Sequence, residues 1–210
     1  MNKELEEYLA KKNLEYLREY LNLIHSKEAE HDAEFKKAEM KRFEIYVQNG
    51  GDPELYEDEE SEELALEQFE IRELMYRSFI VSAFMFMEQM TNNICRALQS
   101  KTKQLFTYKD MGGIGIGRSI NYLTKILGEH PINDTDTREA FDIARLARNA
   151  IVHSNGQLSD DEVNRIEKLI KTKRTNLKIG WHDLDIRADY AESTLELAKM
   201  YADLLLARLD

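Results

Sequence analysis

The sequence predicts an all-α protein: a helical bundle with two long antiparallel N-terminal helices and a short β-hairpin near residues 176–186. Apolar residues recur at three- and four-residue steps over long stretches, which is the period of one helix face. The 210 residues include only two prolines and nine glycines. A β-sandwich or barrel needs a turn signal every ~8–12 residues, and such signals are missing here. We therefore expect residues 1–210 to form one helical domain.

The first half of the chain has the pattern of two long helices. Apolar residues at helical spacing predict a helix over 3–47, with the polar stretch 25–32 as a candidate kink. The segment Asn49-Gly50-Gly51-Asp52-Pro53 is a strong helix stop. The acidic run 57–63 then leads into a second helix that ends near Ser100. We expect that run to be a solvated loop and first helical turn, since acidic residues suit a helix N-terminus.

Four shorter helices and the hairpin follow, each bounded by turn or capping residues. The apolar character of residues 74–90 on nearly all sides predicts that the second long helix lies in the middle of the bundle. In chain order, we expect a basic, glycine-rich loop at 101–117, helices at 118–127, 136–153 and 159–173, the hairpin at 176–186, and a last helix from 189 to the C-terminus.

Charge is distributed unevenly along the chain. The net charge is −11, yet residues 1–100 hold 12 basic and 23 acidic residues, whereas the second half is neutral. Eight acidic residues lie between Asp52 and Glu63. We expect this acidic segment to be mobile and remote from any polyanion, because like charges repel. A basic run in the second half predicts an RNA-binding surface, together with Arg118: Lys168, Lys171, Lys173 and Arg174.

A guanidinium, a carboxamide and an imidazole lie close together near the end of the fourth helix: Arg148, Asn149 and His153. Asn149 and His153 share a face at i, i+4 spacing, with Arg145 on the same stripe. Arg148 and His153 differ by about 140° around the helix and ~7.5 Å along it. Such a set suits phosphodiester cleavage without a metal, because an imidazole can move protons while a guanidinium stabilises phosphate charge. The alternative is structural, since these residue types also cap helix C-termini.

The segment Arg148-Asn149-Ala150-Ile151-Val152-His153 resembles the motif of the HEPN superfamily, in which Arg and a polar residue precede His on a helix before a break. The stretch 76–98, which contains Glu88, is similar to the second core helix of that family, and 115–123 to its entry into the third. The resemblance covers roughly residues 64–210. Residues 1–50 match no motif and form an N-terminal helical extension.

The resemblance implies a metal-independent endoribonuclease of the toxin or phage-defence type. It implies Arg148, Asn149 and His153 as catalytic residues, with Glu88 and Arg145 supporting them. Cleavage needs a base and an acid, and one motif helix supplies one His, so we expect a homodimer with two copies of His153 at one cleft. An antitoxin or regulatory protein is a further expected partner.

Two other classes remain open: a catalytically silent RNA- or nucleotide-binding module, and a helical interaction protein such as an antitoxin or adaptor. We expect no cofactor, no metal and no membrane contact. The single cysteine, Cys95, excludes an internal disulfide framework, and its position on an apolar helix predicts an inert buried thiol. With no apolar leader at the start, the cytoplasm is the expected location.

Overall fold

A computed structural model describes residues 3–56, 59–172 and 175–209, and it confirms the all-α bundle with one short hairpin. Among these residues, no helix is both long and apolar enough to cross a bilayer. The helices and strands are α1 (Lys3–Gln48), α2 (Glu59–Thr102), α3 (Gly115–Lys125), α4 (Thr135–Ser154), α5 (Asp160–Lys171), β1 (Lys178–Gly180), β2 (Asp183–Asp185) and α6 (Ala188–Leu206).

The two long helices α1 and α2 run antiparallel. Their contacts pair rising numbers on α1 with falling numbers on α2: Glu6 with Asn93, Tyr20 with Ser78, and Glu28 with Tyr76. Helix α1 is continuous, so the polar stretch 25–32 does not split it; that stretch contains no Gly or Pro to break it. All buried residues of α1 lie in its first half, up to Ile24.

Helix α2 lies at the centre, as predicted, and packs against α1, α3, α4 and α6. Its buried side chains form the core with those of α6, including a hydrogen bond of 2.8 Å between the Thr91 and Tyr201 hydroxyls. Met85 is an exception on this apolar helix, since 59% of it is exposed. Cys95 is completely buried, as expected, and burial raises the pKa of its thiol to about 12.

Several helix boundaries differ from the prediction. The acidic residues 59–63 all belong to the start of α2, so the predicted first helical turn is present and the loop part of the prediction does not extend past residue 58; acidic residues are favourable at a helix N-terminus. The glycine-rich segment 115–117 opens α3 instead of ending a loop. Helix α6 begins at Ala188, one residue earlier than expected. Residues 57 and 58 of the acidic segment lie outside the described part of the chain.

The limits of the motif helix α4 lie within one residue of the predicted ones at each end. The Asp134 carboxylate accepts a hydrogen bond from the Thr137 backbone N–H at 2.7 Å, which caps the N-terminus. This bond also lowers the pKa of Asp134. At the other end, Asn155 adopts the left-handed conformation that closes a helix. The predicted capping box of α5 is present between Ser159 and Glu162.

Arg77 of α2 fixes the segment that follows the motif helix. Its guanidinium donates to the Asn155 carbonyl at 2.7 Å and to the Glu73 carboxylate at 2.9 Å. Gly156 has φ +90°, and a Cβ there would lie 2.7 Å from Arg77 Nη2, so this position requires glycine. The hairpin is joined to the same segment, because the Leu184 N–H donates to the Gly156 carbonyl at 3.0 Å.

Candidate functional site

Arg148 lines a groove of about 770 Å³. Helix α2 forms its floor, α1 forms one wall, and the loop between α2 and α3 contributes Tyr108. We call it the arginine groove. Its lining residues are Asn13, Tyr16, Leu17, Tyr20, Ser82, Met85, Phe86, Glu88, Gln89, Asn92, Arg96, Tyr108 and Arg148.

Three arginines from three helices surround this groove. Arg96 of α2 and Arg148 of α4 line it, and Arg118 of α3 lies against the lining residue Tyr108, with its guanidinium carbon 5.8 Å from the ring centroid. None of the three has a carboxylate partner within the described ranges. The buried Nε atoms of Arg118 and Arg148 have no hydrogen-bond partner there either. These guanidiniums are therefore available to an anion.

Seven other arginines of the described chain have a side-chain carboxylate within 4.0 Å: Arg18, Arg72, Arg77, Arg145, Arg165, Arg187 and Arg208. Arg138 has none there and donates to the Ile132 carbonyl at 3.4 Å. Most described arginines are therefore paired with an acid, and three of those that are not lie at the groove.

The loop carrying Tyr108 is held in place by its own hydrogen bonds. The Tyr122 hydroxyl donates to the Phe106 carbonyl at 2.8 Å, and Thr107 and Asp110 form a capping box around a short 3-10 turn. Bonds from the Thr107 backbone N–H and hydroxyl lower the pKa of Asp110. Tyr108 is consequently a fixed, buried ring on which Arg118 rests.

Glu88 lines the groove together with Arg148, so the structure brings two of the sequence-predicted site residues to one surface. Its carboxylate also lies at the N-terminus of α3, where a Cβ on Gly115 would be 3.6 Å from Oε1. Negative charge is favourable at a helix N-terminus. Glu88 therefore stabilises the start of the helix that carries Arg118.

The remaining motif residues surround Arg148 without all entering the groove. Asn149 accepts a hydrogen bond from Arg148 Nη1 at 3.1 Å, which orients the guanidinium. His153 is exposed and does not line the groove. Arg145 is directed elsewhere, since it pairs with Asp142 at 3.5 Å, and Asp142 also pairs with Arg165.

The predicted basic run lies on another surface. Lys168 and Lys171 are exposed on α5, and neither lines the groove. Lys171 pairs with Glu167 at 3.7 Å. Lys173 and Arg174 lie outside the described residues.

Sequence reasoning missed Arg96, Asn92 and the tyrosines of the groove. A signal for the first two was present, because Glu88, Asn92 and Arg96 follow at i, i+4, i+8 and form a polar stripe on an otherwise apolar helix. No signal marked Tyr16, since its role depends on how α1 packs against α2. Comparison with known proteins adds nothing to this picture: no family model, curated protein or solved structure matches the chain.

Proposed function

We propose that this chain is a metal-independent endoribonuclease of the HEPN type that acts as a homodimer, in the role of a toxin or phage-defence effector. The observation that carries the proposal is Arg148, which opens onto a groove and has no carboxylate partner in the described chain. An arginine that only capped its helix would be buried, with its guanidinium N–H groups hydrogen-bonded within the protein. Arg96 and Arg118 extend the same cationic surface along the path of a phosphate backbone.

In the proposed reaction, an imidazole removes the proton of a ribose 2′-hydroxyl, and the resulting oxygen attacks the adjacent phosphorus. The bond to the 5′-oxygen breaks, and a second imidazole protonates that leaving oxygen. Arg148 stabilises the charge that develops on the phosphoryl oxygens. Asn149 holds Arg148 by its side-chain hydrogen bond.

The homodimer is part of this proposal because His153 lies outside the groove of its own subunit. Two-fold pairing of the α4 helices would provide a base and an acid from two copies of His153. Sedimentation at micromolar concentration is expected to give a dimer. A monomer that still cleaves RNA would contradict the shared site.

Purified protein incubated with total RNA and a chelator tests the activity. We expect cleavage, and we expect His153→Ala to reduce its rate by ~10²–10⁴, the size of a general acid–base contribution. Circular dichroism of the variant should match that of the wild type, since His153 is exposed. Equal rates for wild type and His153→Ala would refute the nuclease assignment.

One observation favours a second candidate, an RNA-binding module without cleavage: the arginine groove is complete without His153. The same assay separates the two functions. A binding module would retain RNA with an Arg148-dependent affinity but release no fragments.

A further inference from the structure

The wall of the arginine groove formed by α1 comes from the segment of the chain that matches no motif. Of its side chains, Tyr16 is the one with a large free surface, being 54% exposed. We infer that Tyr16 is a stacking platform for an unpaired nucleobase, which makes the groove selective for single-stranded RNA. This inference rests on the proposed RNA binding and assigns a role to α1 within it.

The three tyrosines of the groove differ in what holds them. Tyr20 is fixed, because its hydroxyl is hydrogen-bonded to Ser78 Oγ and its ring lies 6.1 Å from that of Phe79. Tyr108 is buried beneath Arg118. The Tyr16 hydroxyl has no partner in the described chain, so neither its ring nor its hydroxyl serves the core. Tyr16 alone can therefore accept a ligand without disturbing the packing.

A cation completes the environment of Tyr16. The Lys12 ammonium lies 5.2 Å from the centroid of its ring, in cation–π distance. A base stacked on the other face of the ring would thus have its phosphate near positive charge. Stacking on aromatic side chains beside a cationic track is the usual design of single-strand binding surfaces.

The polar lining of the groove fits the edge of a base. Asn13, Gln89 and Asn92 are carboxamides, which carry both donors and acceptors, although Asn13 already donates to the Leu9 carbonyl at 2.8 Å. Ser119 already donates to the Asn92 carbonyl oxygen, which leaves the amide nitrogen of Asn92 without a partner in the described chain. An apolar protein partner would leave these groups unsatisfied, whereas a nucleobase pairs with them.

Single-strand selectivity follows from the stacking itself. The bases of an RNA duplex are stacked on one another and leave no free face for an aromatic side chain. Only the unstacked bases of single strands, loops or ends can therefore stack on Tyr16. A duplex would still meet the arginines through its phosphates. Base stacking on Tyr16 and phosphate binding by the arginines can therefore be measured separately.

The test uses the full-length protein and a 2′-O-methyl single strand, which binds but has no 2′-hydroxyl to react. Affinity is measured by fluorescence anisotropy in the presence of chelator. Tyr16→Ala is expected to weaken binding by about 5- to 150-fold, the range that loss of one stacking contact gives. Tyr16→Phe should bind like the wild type because the ring remains. Tyr8→Ala is the matched control, since Tyr8 is an exposed tyrosine of α1 outside the groove.

Two further probes separate bases from phosphates. With an abasic strand of the same length, Tyr16→Ala and the wild type should bind equally, whereas Arg148→Ala should still weaken binding. With a blunt duplex, Tyr16→Ala should again have no effect.

Each other outcome overturns a defined part of the reasoning. If Arg148→Ala weakens single-strand binding while Tyr16→Ala equals Tyr8→Ala, the stacking inference is wrong and the proposed function stands. If the wild type binds no RNA, both are wrong. If Tyr16→Ala changes only the sedimentation of the protein, Tyr16 belongs to a protein interface and not to the RNA site.

Discussion

Two half-buried arginines of this protein have opposite surroundings, and we predict different effects of removing them. Arg148 makes one side-chain hydrogen bond, to Asn149, and faces the arginine groove. Arg77 bonds to the Asn155 carbonyl and to Glu73, with the two charged side chains only 13% and 17% exposed. Replacing each by Ala tests whether its guanidinium binds a ligand or stabilises the fold.

The expected magnitudes follow from these contacts. Arg148→Ala loses one part-buried hydrogen bond and no ion pair, so we expect the free energy of unfolding to fall by less than about 1.5 kcal/mol. Its affinity for RNA should fall by about 1.5–3 kcal/mol, the value of a hydrogen bond to a charged group, which is roughly 10- to 150-fold. Arg77→Ala leaves a carboxylate and a carbonyl unpaired, so we expect a loss of stability of about 2–4 kcal/mol.

Urea unfolding and RNA anisotropy, measured on the same preparations, check both numbers. Arg148→Lys is the informative companion variant: it keeps the charge but not the planar two-donor group, so we expect it to bind weakly and to fold normally. The reasoning is refuted if Arg148→Ala destabilises the protein as much as Arg77→Ala while RNA binding is unchanged. Arg148 would then be a structural residue.

Four further outcomes are expected. Cys95 should resist thiol reagents until the protein unfolds, at a rate that follows unfolding, because it is fully buried and its thiol has a raised pKa. The stabilisation from the Asp134 cap should be present above the ordinary pKa of about 4 and lost as the pH falls through the lowered value; in Asp134→Asn, which keeps a cap, that acid-side loss of melting temperature should shrink. Gly156→Ala should destabilise the protein by about 1–3 kcal/mol through its positive φ and its clash with Arg77, whereas Gly180→Ala, with open space at its Cβ, should not. The logarithm of single-strand affinity should fall with that of salt concentration with a slope of about −2, since three groove arginines each release about 0.7 counterion.

Features decided by neighbouring residues could be predicted from the sequence. The ends of α4 follow from Asp134 and Asn155, and the start of α5 follows from the Ser159–Glu162 capping box, so all of these were predicted within about a residue. Capping and turn chemistry act over a few residues, which a single sequence contains in full. A break near 25–32 did not occur because polarity alone does not end a helix; polar residues only leave the helix without a buried face there.

The arginine groove could not be predicted because its parts are distant in sequence. Tyr16 and Arg148 come from the first and fourth helices and meet only through the packing of each on α2. The motif pointed to Arg148 and to His153 as its catalytic partner. His153, however, lies outside the groove. Which arginines lack carboxylate partners is likewise a tertiary property. Arg145 and Arg148 are three residues apart, and only the former is paired.

The position of the acidic segment explains how a chain of net charge −11 can present a cationic surface. Helix α1 is unbroken between Tyr16 and Gln48, a distance of ~48 Å at 1.5 Å per residue. Asp52 and Glu54 follow beyond that end of the helix. Exposed charges are screened over ~8 Å at physiological ionic strength, so the carboxylates at that end contribute little field at the groove. The sign of the surface that a phosphate backbone would meet is therefore set by the local residues, among which Arg96, Arg118 and Arg148 outnumber Glu88, and not by the net charge of the chain.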